Sequence, residues 1–151
     1  MLVAVVVVLL TLSHRVGSYL RVITVDQRSD SPACDSLWSG ESLSNFSCDS
    51  LQYVLSTIPM ERDSDVEVQI AEGHYNLTDS VTIKQNITLR AEVPGAVHVN
   101  FNDLLKDSFY AILFTSAKHT AIEGISFEWS HRGIIVFENV SQVSILSLIH
   151  I

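Results

Sequence analysis

Asn-Gly and Asp-Gly, the pairs that close the tightest β-hairpins, occur nowhere in this chain. Their absence weighs against a fold made of two-residue hairpins. Charge is scarce and lopsided. Charged residues are 17% of the 151, against the usual quarter, and 17 acidic residues outnumber 9 basic ones for a net charge of -8. An acidic surface repels phosphate backbones, so no nucleic-acid partner is expected. The 47% apolar content is ordinary and excludes intrinsic disorder. Cysteine is nearly absent: only Cys34 and Cys48 are present. No CxxC or Cys/His spacing suggests zinc, His74, His98 and His150 have no matched spacing for a metal, and no cofactor is expected.

The apolar run MLVAVVVVLLTL at residues 1–12 is too short to cross a bilayer, which takes about 20 residues. It fits the apolar region of a secretory signal peptide, with Val16, Gly17 and Ser18 at the cleavage region, although no Lys or Arg precedes it. Residues 1–18 are therefore expected to be a signal peptide. A buried strand is the alternative, or an uncleaved anchor continued by YLRVITV, which Arg15 and Arg21 interrupt. In an oxidising compartment Cys34 and Cys48 are expected to pair, closing a loop of about 15 residues worth ~3 kcal/mol. Two buried free thiols fit poorly with the Ser-rich CDSLWSGESLSNFSC around them. Asn-x-Ser/Thr acceptors for N-glycosylation occur at Asn45, Asn76, Asn86 and Asn139. Average composition would give roughly one. Together these features point to a secreted or cell-surface glycoprotein, in which any glycan-bearing Asn faces solvent.

The segment 19–60 is read as a polar lead-in ending in a short helix. Leu51, Val54, Leu55 and Ile58 form one helical stripe, Ser47 or Asp49 can cap it, and Pro59 stops it after about ten residues. Residues 61–151 are read as short strands. VEVQI and VHVNF alternate apolar with polar residues, and SVTIKQNITLRAE carries two further runs. Late in the chain the pattern repeats. Ile112 and Phe114 align with Ile134 and Val136 at an offset of 22, and Ile122, Ile125 and Phe127 with Val143, Leu146 and Leu148 at 21, as if one turn residue were lost. A β-sandwich is the alternative source of such spacing.

At EVQIAEGHYNLTDSVTIKQNITLRAEVPGAVHV the chain resembles the opening coils of a right-handed parallel β-helix of the pectin-lyase-like superfamily. The resemblance lies in Glu72–Leu77 (x-G-x-Y-x-L), Val81–Leu89 (V-x-I…N-I-T-L) and Ile122–Phe127, and covers about residues 48–151. It implies an all-β fold of about three to four rungs with a short N-terminal capping α-helix. Such a stack requires a terminal cap, and the chain stops in the apolar VSILSLIHI, so a C-terminally incomplete stack is expected. Membrane contact is expected only through a further C-terminal segment.

The family's enzymes carry catalytic carboxylates on the exposed face of middle rungs. Asp103 and Asp107 read as loop residues, Glu123, Glu128 and Glu138 as isolated surface carboxylates, and Asp63 with Asp65 as a solvated doublet. No catalytic residue is assigned. Trp129, His131 and Arg132 in EWSHR are the candidate carbohydrate contact, against the plainer reading of an inter-rung turn with Trp129 packed at its edge. The expectation is a non-catalytic adhesion or recognition protein whose partners are carbohydrate or extracellular proteins. The alternative is the N-terminal fragment of a polysaccharide-active lyase or glycoside hydrolase.

Overall fold

The alternating runs become strands, and every described strand pair is parallel. The computed structural model describes residues 20–28, 34, 46–58, 65–101, 110–128, 135–146 and 149–150. The expected signal peptide lies outside them. In order the elements are β1 (Leu20–Val25), β2 (Phe46–Cys48), α1 (Leu51–Thr57), β3 (Asp65–Ile70), β4 (Gly73–Asn76), β5 (Val81–Ile83), β6 (Asn86–Ala91), β7 (Val97–Asn100), β8 (Ile112–Thr115), β9 (His119–Glu123), β10 (Ile125–Glu128), β11 (Ile135–Glu138), β12 (Gln142–Leu146) and β13 (Ile149–His150).

They form three sheets. The first has the order β12-β9-β6-β3-β1-β2, the second β13-β10-β7-β4 and the third β11-β8-β5. From β3 onward the chain visits the first, second and third sheets in turn and then begins again, so each circuit adds one strand to each sheet. Pairing continues around the corners: the amides of Ala71, Glu92 and Gly124 donate to the carbonyls of Val25, Ile70 and Leu146 at 2.7–2.9 Å. Parallel sheets are usually covered on both faces by helices. Here β3 alternates half-buried and buried residues along its length, so only one face meets the core. All three sheets contribute to one apolar cluster, in which Val68, Leu89 and Ile122 of the first sheet join Tyr75, Val99 and Phe127 of the second and Ile83 and Phe114 of the third.

Register corrects the repeat read from the sequence. Ile112 pairs with Ile135 and Phe114 with Phe137, one residue beyond the expected Ile134 and Val136. Ile122 pairs with Ile145, and Phe127 with Ile149, instead of Val143 and Leu148. A slip of one residue would turn every side chain to the opposite face. The observed register stacks the Phe114 and Phe137 rings at 5.2 Å with planes 9° apart. It also gives successive corners the same backbone: Ser116 and Asn139, at corresponding positions, are the two non-glycine residues with positive φ among the described residues, 58° and 53°. No turn residue is lost between them.

Gly124 makes the single-residue corner between β9 and β10 at φ 70°, where a Cβ would lie 3.0 Å from the Pro94 Cα. Both the backbone and the close approach require glycine.

The lead-in is less polar than expected. LRVITV alternates too, and β1 lies between β2 and β3 with Ile23 and Val25 buried. The helix is shorter, seven residues, and is capped by Ser50 in place of Ser47 or Asp49: the Ser50 Oγ accepts from the Tyr53 amide at 3.2 Å. Leu51, Val54 and Leu55 are buried, and α1 packs on β4 and β5, the outer strands of the second and third sheets. Gln52 Oε1 accepts from the Thr78 and Asp79 amides at 3.1 and 3.3 Å, fastening the helix to the corner after β4. The helix thereby covers strand edges that would otherwise be open. Beneath β2, Cys34 and Cys48 form the expected disulfide, with Cα atoms 5.0 Å apart. No described helix is long and apolar enough to cross a membrane.

Candidate functional site

Because strands alternate, the outward face of each sheet is a set of columns, one residue per strand. On the second sheet Tyr75, Val99 and Phe127 point into the core, and their neighbours form two outward columns. His74, His98 and Ser126 make one, in which Ser126 is buried; Asn76, Asn100 and Glu128 make the other, with His150 next in register. The His74 and His98 rings stack at 4.7 Å with planes 15° apart. His98 Nδ1 lies 2.9 Å from Glu128 Oε1. A carboxylate only accepts, so Nδ1 is the donor of this contact. No hydrogen bond links Ser126 to His98 among the described residues, so the trio is not assembled as a nucleophilic relay. The strand beneath is held firmly. The Gln27 side chain donates to the His74 carbonyl at 2.6 Å, and the buried Tyr75 hydroxyl donates to the Ala71 and Val25 carbonyls at 2.9 and 3.2 Å.

The first sheet's outward face is a charge ladder. Arg90 bridges Glu67 at 3.1 Å and Glu123 at 2.8 Å, and the hydrogen bond it donates to Glu123 holds the guanidinium more firmly protonated. Nearby, the Arg28 amide, hydrogen-bonded to Asp26, pulls that carboxyl below its ordinary value. Glu123, Glu128 and Glu138 thus lie on three different sheets, the first two already engaged by Arg90 and His98.

Of the glycosylation acceptors, Asn76 and Asn139 are exposed. Asn86 is not: it is 6% exposed, its amide donates to Asp65 Oδ1 at 2.9 Å, and its Oδ1 accepts from the Lys118 and His119 amides at 2.8 and 3.3 Å. Asn86 therefore joins three successive strands of the stack, and the folded site has no room for a glycan on its nitrogen. Asn45, Trp129, His131 and Arg132 lie outside the described residues, as do Asp63, Asp103 and Asp107. Cys34, Cys48 and Asp49 bring ligand-type atoms within 4.8 Å of one another, but the disulfide leaves no thiolate to bind a metal.

The sequence reading missed the pairing of His74 with His98 and of Asn76 with Asn100. The signal was present: His-x-Asn occurs in GHYN and again in VHVN, 24 residues on, which is one circuit of the three sheets. Comparison with family models, curated proteins and solved structures finds no match to this chain.

Proposed function

We propose that the chain is a secreted or cell-surface glycoprotein built as a right-handed parallel β-helix of the pectin-lyase-like type, acting by recognition and not by catalysis. The chain path supports the β-helix: three parallel sheets visited in a fixed order around one core are three faces of a coil, and right-handed crossovers are the rule for parallel strands. The disulfide and the exposed acceptors Asn76 and Asn139 support an extracellular setting.

The observation that carries the recognition reading is the outward face of the second sheet. His74 with His98, and Asn76 with Asn100, repeat in register one strand apart, a spacing of about 4.8 Å. A ladder of like donors and acceptors suits a repeating ligand such as a polysaccharide, or an extended extracellular partner. Expression with its leader in animal cells, followed by retention on immobilised polysaccharides, tests this. The protein is expected in the medium, with peptide-N-glycosidase removing mass from Asn76 and Asn139, and with His74→Ala and Asn100→Ala weakening retention. Retention unchanged by both substitutions would overturn the assignment of the face.

A further inference from the structure

We infer that the outward face of the second sheet is covered by the chain's own glycan: an oligosaccharide on Asn76 lies over His74 and His98 and competes with any outside ligand for them. This rests on the glycoprotein reading and adds to it a control on the recognition face. Asn76 belongs to that face. It is exposed, it stands in register with Asn100, and His74 precedes it by two residues on the same side of β4. Adjacent strands lie about 4.8 Å apart and alternate residues of one strand about 6.6 Å, so Asn100, His74 and, on the diagonal, His98 are all within about 8 Å of Asn76. The first two sugars of an N-linked chain extend farther than that. β4 is the end strand of its sheet and α1 packs against it, so the sheet surface open to a glycan from Asn76 continues in one direction, over β7.

The other described acceptors do not compete for this role. Asn86 is held by Asp65, Lys118 and His119. Asn139 follows β11, on the third sheet. The Asn76 side chain has no hydrogen-bond partner among the described residues, so its nitrogen is free to carry a sugar. Linkage leaves that nitrogen one N–H in place of two. The ladder of Asn76 with Asn100 is therefore complete only in chains that lack the glycan, and those chains are the stronger binders.

The test compares the full chain, secreted from animal cells with its disulfide intact, as wild type, Thr78→Val and Ser141→Ala. Thr78→Val removes the acceptor motif and keeps Asn76; the Thr78 hydroxyl bonds only the adjacent Asp79 among the described residues, so the fold is expected to persist. The readout is the rate at which diethyl pyrocarbonate modifies each histidine, followed by peptide mass. His74 and His98 are expected to react several-fold faster in Thr78→Val, with His119, on the first sheet, unchanged. Ser141→Ala, which removes the Asn139 acceptor, should leave His74 and His98 at the wild-type rate. Enzymatic trimming of the wild-type glycan repeats the comparison without a substitution and should also speed His74. Equal His74 rates with and without the glycan, or an Asn76 that carries none in the secreted wild type, overturns the inference. Retention on immobilised polysaccharide is expected to be stronger for Thr78→Val than for wild type. Shielding of His74 with no retention of any form would uphold the glycan cover and sink the recognition reading; retention without shielding would do the reverse.

Discussion

Ile122 and Ile145 occupy one column of the first sheet and are partners across adjacent strands, yet Ile122 is 1% exposed and Ile145 46%. The same column runs back through Leu89 and Val68 to Ile23, all at 2% or less. Residue type does not separate these positions. Ile122 has an apolar neighbour on both sides along the stack, whereas Ile145 has one on a single side among the described residues. At the opposite end α1 supplies the missing layer, with Val54 and Leu55 buried over β4 and β5. Burial along this column follows strand pairing, and an inward residue is covered where its strand has a partner on both sides.

Matched truncations test that difference most directly. Ile122→Ala is expected to cost about 2–5 kcal/mol, and Ile145→Ala less than about 1, in urea unfolding of the full chain. Equal losses would show that another surface covers β12 in solution. A smaller contrast is expected in another column of the same sheet, Asp65, Asn86, His119 and Gln142. Asn86→Ala strands the partners of a buried amide and should cost about 1–3 kcal/mol. Gln142→Ala, on the exposed last strand, should change stability by no more than about 0.5 kcal/mol. Mass analysis of the glycoprotein should find Asn86 unmodified; a glycan there would break the assignment of its side chain.

A further effect is confined to alkaline pH and to the capped end. Burial, and after it the charge of Asp26, push the Tyr75 hydroxyl up to about 12. An unfolded tyrosine titrates near about 10. Between those values the folded chain keeps a proton that the unfolded chain has lost, so the contribution is full below about pH 10 and disappears as pH rises through about 12. Urea midpoints measured from pH 9 to about 12 should fall, and Tyr75→Phe should flatten that part of the slope.

Strand type and inward residues were legible because alternation is written locally: VEVQI and VHVNF announce their buried faces. Register was not. Its arbiter is a contact about 23 residues away, and aligning Phe114 with Val136 or with Phe137 differs by one position that only ring stacking decides. The helix start was misplaced by the same locality: Ser47, Asp49 and Ser50 are all competent caps, and the strand ending at Cys48 decides which is free to act. The histidine pair was hidden because one circuit is 24 residues at β4–β7 and 28 at β7–β10, so no constant period exposes the column.

The place of β1 has a consequence for how the chain is made. Synthesis delivers β1 before either of its partners, β2 and β3, and it ends up interior to both. Vectorial folding from the N-terminus, strand upon strand, cannot build this end of the molecule. β1 acquires its first ladder only when residues 46–48 or 65–70 have emerged, and the Cys34–Cys48 bond then locks the returning segment beside it. β1 is thus the first described strand in the chain, yet its pairing waits on two later segments, one of which the Cys34–Cys48 bond holds in place.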